Sequence, residues 1–322
     1  MNVIMADNIP QAFSEAFWKM RVWAVEEESR HGPVMTCPVP VMLEVFNPAE
    51  RVLFDPTRDA NPFFHLMETA WMFAGRRDSE FLIEYNKNMA SFSEETGDYH
   101  AAYGFRWRQH FGGDQICGVI GMLQEDPTTR RAVIAMWDPS EDCGAEKKDL
   151  PCNTHIYFRV VNEKLDMTVC NRSNDLVWGM LGANAVHMTY LHELVASGAG
   201  VPVGIYRVFT TNLHVYKSVP RFEQIWETRY SEDNYSREVR PFPLVGEYEC
   251  YHDILADCKS FCLGHPVHTR WVSKVLLPAA KAWYVRKINP EACHTWIDEI
   301  AADDWRIACR EWVIRRQNVR SE

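Results

Sequence analysis

Leu150-Pro151-Cys152-Asn153 is followed, twenty positions after the cysteine, by Arg172 in the run Asn171-Arg172-Ser173-Asn174-Asp175. A cysteine attacks as its thiolate, and a guanidinium nearby lowers the thiol pKa toward neutrality. An arginine next to a serine also clamps a phosphate through charge-assisted hydrogen bonds. A thiolate beside a phosphate clamp points to covalent catalysis on a small phosphorylated molecule. The competing reading of Cys152 is a buried structural thiol, the commoner fate of a cysteine.

Further motifs extend the pattern in order: Glu68-Thr69-Ala70-Trp71-Met72-Phe73-Ala74-Gly75, Tyr103-Gly104-Phe105-Arg106-Trp107-Arg108, Thr129-Arg130-Arg131, Trp137-Asp138-Pro139, Gly179, Asn184 and His214-Val215-Tyr216. Together with Pro151-Cys152 and Arg172 to Asp175, this series resembles the thymidylate synthase superfamily. Each motif alone is weak; nine in the family's order are strong. The resemblance runs over residues 28 to 220. It implies an α/β (α+β) fold, a mixed sheet packed by helices, and a homodimer with shared active sites.

What the resemblance implies for each residue is as follows. Cys152 adds to C6 of a pyrimidine nucleotide and turns C5 into a carbon nucleophile, which takes the methylene of 5,10-methylenetetrahydrofolate. Glu68 relays protons through water to position 4 of the base; on the apolar face of a helix an unpaired carboxylate is costly, and the bland alternative is a structural hydrogen bond. Tyr103 assists removal of the C5 proton, or only packs. Arg172 and Ser173 bind the phosphate within one subunit, Arg130 and Arg131 reach it from the partner, and Arg30 is a mobile fourth arginine; surface ion pairs are the alternative for all of them. His214 and Tyr216 hold the sugar 3′-hydroxyl. Asp175 and Gly179 line the folate pterin, with a loop cap as the other role for Asp175.

Three departures separate this chain from the synthases. Where they carry a Trp that shields the exocyclic methylene intermediate from water, this chain reads Met89-Ala90-Ser91-Phe92, and Ala90 leaves room for water beside the folate. They carry His after the nucleophile; here Asn153 takes that catalytic place. Gly182-Ala183-Asn184 is one residue longer than their segment. All three fit the pyrimidine hydroxymethylase branch, including phage enzymes, whose product is a hydroxymethyl nucleotide with tetrahydrofolate released unoxidised. Asn184 accepts from uracil N3–H and donates to O4, which favours dUMP; a flipped amide serves dCMP. The rivals are a retained 5-methyltransferase, with Phe92 as the shield, and a non-catalytic nucleotide-binding or assembly protein. A zinc deaminase lacks its second cysteine after Pro151-Cys152. Cys258, Cys262, His265 and His268 have crowded zinc-like spacing, against which stands a plain helix end; no metal is expected.

These residues need a sizeable scaffold, and 322 residues with 47% apolar content supply one. A net charge of −10 excludes a general nucleic-acid binder but not a basic pocket for one nucleotide. The N-terminus shows no signal-peptide pattern, no apolar run approaches a membrane span, and the ten cysteines read as free thiols in a reducing cytoplasm, the host's if the chain is phage-encoded. Helical spacing of Ala12, Phe13, Ala16, Phe17 and Met20 predicts a helix over 9–28. Pro62 and Gly75 bracket a second, with Phe64, Met67, Trp71 and Met72 on its buried face. Residues 34–46, 131–137, 154–161, 164–170 and 201–216 read as strands. Residues 184–197 form a long helix ending at Gly198. The character changes near 246, giving a catalytic core over 1–245 and a helical extension over 246–322, with helices at 271–285 and 303–316.

Overall fold

Val41-Met42-Leu43-Glu44-Val45 alternates buried and half-buried side chains, the signature of a strand with one face in the core. The same period recurs along the chain. In the computed structural model, which describes residues 1–321, ten strands form. They are β1 (Asn2–Ala6), β2 (Val25–Ser29), β3 (Gly32–Thr36), β4 (Val41–Val45), β5 (Val133–Ala135), β6 (Asn153–Val161), β7 (Lys164–Asn171), β8 (Asn174–Asp175), β9 (Val203–Thr210) and β10 (Leu213–Tyr216). A six-stranded mixed sheet has the order β1-β4-β9-β7-β6-β5, and a four-stranded one the order β2-β3-β10-β8. The α/β class expected from the sequence is what the chain adopts.

The chain divides into two compact units. One comprises residues 1–60, 119–137 and 152–237; the other comprises 61–118, 138–151 and 238–322. This differs from the division near residue 245 drawn from composition, because the C-terminal helices group with two earlier segments; residue 322 of the expected extension lies outside the described residues. Among the described residues, no helix is long and apolar enough to cross a membrane.

In the first unit, helices Ile9–Trp23 and Asn184–Ala199 pack on the six-stranded sheet. Leu43, Val169, Met167, Tyr206 and Val208 fill the space between. The first helix opens where Asn8 Oδ1 accepts the Gln11 N–H at 2.9 Å. It ends at Trp23, short of the expected residue 28, because Val25 to Ser29 pair instead with β3 as an antiparallel hairpin. The second passes Gly198, which lies close against Ile120, and stops at Gly200 in the left-handed region with φ 72°.

In the second unit, helix Pro62–Phe73 is buried on every side, not on one stripe. Asn61 caps it through the Phe64 N–H at 3.2 Å. The covering comes from the C-terminal helices Leu277–Ile288 and Asp303–Ser321: Phe63 meets both Trp283 and Trp312 with ring centroids 5.6 Å apart. Gly104 lets the chain after Tyr103 press against the same helix, since a Cβ there would collide with the Met72 backbone. The zinc-like spacing does not assemble: Cys258 is fully buried in helix Tyr251–Cys262, whereas His265 and His268 are exposed.

Candidate active site

Cys152 stands at the threshold of β6, half-buried, and its carbonyl accepts the Arg172 N–H at 3.0 Å. This backbone hydrogen bond, one step beyond the Asn153–Asn171 pair that ends the β6–β7 ladder, holds the Cys152 and Arg172 backbones side by side. A register shift between Asn153 and His155 kinks β6 at this end, a usual way for a strand to re-aim a side chain. Arg172 is exposed, and its guanidinium lies 5.6 Å from the Trp137 ring centroid. Its carbonyl accepts from Thr211 Oγ1 at 2.7 Å, which ties it to the turn between β9 and β10. Asn153 is fully buried and its amide oxygen accepts from Asn171, so it braces the strand ends under Cys152 and Arg172.

Beyond half-buried Ser173, β8 pairs in parallel with β10 and puts Asp175 opposite His214. Asp175 Oδ1 accepts the N–H groups of Val177 (2.7 Å) and Trp178 (2.5 Å), the cap role weighed from the sequence. Its Oδ2 is buried and makes no hydrogen bond among the described residues. Burial pushes the Asp175 carboxyl up despite those N–H donors and pushes the His214 imidazole down. Asn212 Oδ1 pairs with His214 Nδ1 at 2.9 Å, and the His214 ring meets Tyr216 edge-on at 5.0 Å. The Tyr216 phenol is raised by burial first, then by Asp175 and Cys152, with Arg30 acting the other way. Cys152, Asp175, Tyr216 and Arg30 therefore share one electrostatic neighbourhood. Arg30 itself is exposed at the turn between β2 and β3.

Gly179 and Asn184 close this side. A Cβ on Gly179 would lie 2.5 Å from Asn174 Oδ1 and 3.4 Å from Asn184 Nδ2, so glycine leaves room for both amides. Leu181 and Gly182 break the helical path just before Asn184, which begins the long helix. Arg130 and Arg131 are exposed ahead of β5, and no ion pair of their side chains occurs among the described residues.

One residue here escaped the sequence reading. Arg58 is buried, donates from Nε to the Val177 carbonyl at 2.9 Å and stacks 4.4 Å from the Trp178 ring centroid. Burial lowers its pKa to about 10, against the pull of Asp175, Asp59 and Asp55. Its only sequence signal is a lone arginine in Asp55-Pro56-Thr57-Arg58-Asp59, which no periodicity marks.

The second unit holds the remaining candidates. Glu68 is 7% exposed in the middle of its helix, and burial, with the charge of Asp149 adding to it, pushes its carboxyl up to about 8. Tyr103 starts the short helix that Gly104 seats against Met72. Ala90 is exposed in the turn Lys87–Phe92, and Phe92 is 47% exposed. Asp149, also unmarked by the sequence reading, is pushed up to about 6 by burial. His110, Asp138 and Glu141 bring ligand-type atoms within 4.8 Å of one another, and His110 pairs with Asp138 at 2.9 Å.

A thymidylate synthase family model matches residues 56–244. Over 333 aligned positions the chain is 40% identical to the deoxyuridylate hydroxymethyltransferase of Pseudomonas phage M6, covering 98% of this chain and 95% of that protein. The deoxyuridylate hydroxymethyltransferase of Bacillus phage SP01 is 42% identical over 55% of this chain and 49% of its own length. A putative thymidylate synthase of Methanosarcina barkeri (strain Fusaro / DSM 804) is 33% identical over 58% of this chain and 80% of its own. The chain belongs to the thymidylate synthase family.

Proposed function

We propose that this chain hydroxymethylates C5 of dUMP, using 5,10-methylenetetrahydrofolate and water through a covalent Cys152–C6 adduct. The observation that carries the reading is the backbone hydrogen bond that joins Cys152 to Arg172, in a chain related over nearly its whole length to a deoxyuridylate hydroxymethyltransferase. Arg172 and Ser173 hold the phosphate and bias the thiol toward thiolate. His214 and Tyr216 take the sugar hydroxyl. Asn184 reads the base edge, and Asn153 positions the two strand ends. Glu68, protonated at neutral pH, supplies the proton relay at the base carbonyl, and Tyr103 serves the C5 proton.

The folate fits residues of the first unit. The unpaired Asp175 Oδ2 matches a pterin N–H donor, and Gly179 keeps the approach free of a side chain. When bound it supplies a one-carbon unit at the oxidation level of formaldehyde. Ala90 then admits water to the exocyclic carbon, where a Trp would exclude it.

The homodimer is part of the same proposal. One face of the six-stranded sheet leaves Val3, Met5 and Tyr157 exposed and Met42 and Phe209 half-exposed, an apolar patch of the kind that marks an interface. Arg130 and Arg131, exposed beside the edge strand of that sheet, are free to act on the partner's phosphate.

Product analysis tests the reading. Turnover of dUMP is expected without the absorbance change of dihydrofolate formation, giving a nucleotide heavier than the methylated one by one oxygen. Stoichiometric dihydrofolate with a methylated nucleotide would instead establish the methyltransferase. Running dCMP alongside decides the base, with dUMP expected to be the faster substrate. Cys152→Ala should abolish turnover yet still bind dUMP; substantial activity in it would sink the covalent route.

A further inference from the structure

Asp149 precedes Cys152 by three residues, and none of the roles above uses it. Its carboxylate accepts the N–H of Ala101. The neighbouring Lys148 is fastened twice, from Nζ to the Ser93 carbonyl at 2.8 Å and from its N–H to Glu94 Oε1 at 3.1 Å. Ser93 and Glu94 directly follow the turn Lys87–Phe92 that carries Ala90. The loop bearing Asp149 is thus tied to the strip in which Ala90 replaces the water-excluding Trp.

Tyr99 joins the same cluster. Its phenol donates to the Met89 carbonyl at 3.1 Å, next to Ala90, and its ring stands edge-on to Trp71 at 5.8 Å. Burial first, and then the nearby carboxyls of Glu68 and Asp149, push that phenol up. Trp71 and Glu68 share one helix, so two carboxyls and a phenol converge beside the Ala90 segment.

We propose that Asp149 is the base that takes a proton from the attacking water, with Glu68 as its protonated partner; this rests on the hydroxymethylation reading above. Two carboxyls in one desolvated place do not both ionise readily, and the pair divides into a base and an acid. Burial pushes Asp149 to about 6 and Glu68 to about 8, so near neutrality the pair holds one proton, on Glu68. The other charges facing Asp149 are His100, Arg106 and Glu94, and Asp78 faces Tyr99. Arg106 is itself held by Asp142 at 2.7 and 2.8 Å, and so acts on Asp149 only as a partly neutralised cation.

The step balances without a redox partner. The water oxygen bonds to the exocyclic carbon, and one of its protons passes to the Asp149 carboxylate. The electron pair of the exocyclic double bond moves onto the ring as an enolate at the C4 oxygen. That pair returns, re-forms C5=C6 and expels the Cys152 sulfur from C6. Asp149 then releases its proton to solvent, and the freed thiolate takes one up from solvent, so no net proton is gained or lost.

Three measurements on Asp149→Asn and Asp149→Glu test this in the full-length enzyme. They are the Cys152 adduct with 5-fluoro-dUMP and methylenetetrahydrofolate, release of the C5 proton from dUMP, and formation of hydroxymethyl nucleotide. Asp149→Asn should keep the first two and lose about 100-fold in the third, the usual reach of a general base. Asp149→Glu should recover much of that loss. The wild-type rate should rise through about pH 6, with that limb missing in Asp149→Asn. Hydroxymethylation by Asp149→Asn at the wild-type rate would overturn the proposal. So would parallel loss of adduct and product in both variants, which marks a purely structural role. A wild-type enzyme that methylates with dihydrofolate release would instead overturn the reading beneath it.

Discussion

Glu68 shows how one buried residue sets chemistry against stability. Its carboxyl titrates at about 8 in the fold and near 4.5 in the unfolded chain. The folded state therefore binds the proton more tightly, and unfolding above pH 4.5 releases it. Stability from this group is fully present at low pH and declines as pH rises from about 4.5 to about 8. Glu68→Gln keeps the shape without the ionisation. We expect it to raise unfolding stability near pH 7 by at most about 3 kcal/mol, and by much less at pH 5. Urea titrations of both proteins at the two values measure the difference. An equal change at both would mean that the carboxyl does not titrate as described. The same variant should be nearly inactive, because it can donate no proton.

Among the elements, helix Pro62–Phe73 illustrates how far sequence reaches. Pro62 and Gly75 bracket it correctly, since caps are local chemistry. That it is buried all round was not legible, because the covering residues Trp283 and Trp312 lie more than two hundred positions away. Similarly, Val25 to Ser29 carry no strand signal of their own; they pair because β3 is beside them. The motif residues around Cys152 were legible as a set, whereas Arg58 and Asp149 are single charges that acquire meaning only from burial. Gly104 sits between these cases: its motif is readable, but its physical reason, contact with the Met72 backbone, is not. Gly104→Ala should cost about 1–3 kcal/mol, since a backbone carbonyl cannot rotate aside as a side chain can. Gly121→Ala is the contrast, lying in open space on helix Gln115–Glu125, and should stabilise by up to about 1 kcal/mol. Denaturant midpoints for the pair give opposite signs if this account is right, and a neutral Gly104→Ala would refute the close-packing argument.

At the scale of the whole molecule, the question is whether one chain makes a complete site. Arg172 and Cys152 share a backbone hydrogen bond just beyond the ends of β6 and β7, whereas Arg130 and Arg131 are exposed and make no side-chain ion pair among the described residues. Like charges adjacent in sequence and left in solvent are a plain surface feature unless something anionic is brought to them. In the homodimer proposed above, a second copy docked on the exposed sheet face would bring its nucleotide phosphate to them. Cys152→Ser lacks the nucleophile, and Arg131→Gln lacks the partner's clamp, so each homodimer should be nearly inactive. Mixed under conditions that allow subunit exchange, half the dimers become hybrids. Each hybrid pairs the Cys152 of one chain with the Arg131 of the other in one of its two sites, so about one quarter of wild-type sites return. Activity rising toward that fraction, with exchange verified by mass-tagged subunits, is the expected result. No recovery despite verified exchange would mean that the arginine serves its own chain, because a site acting within one subunit is never repaired by mixing.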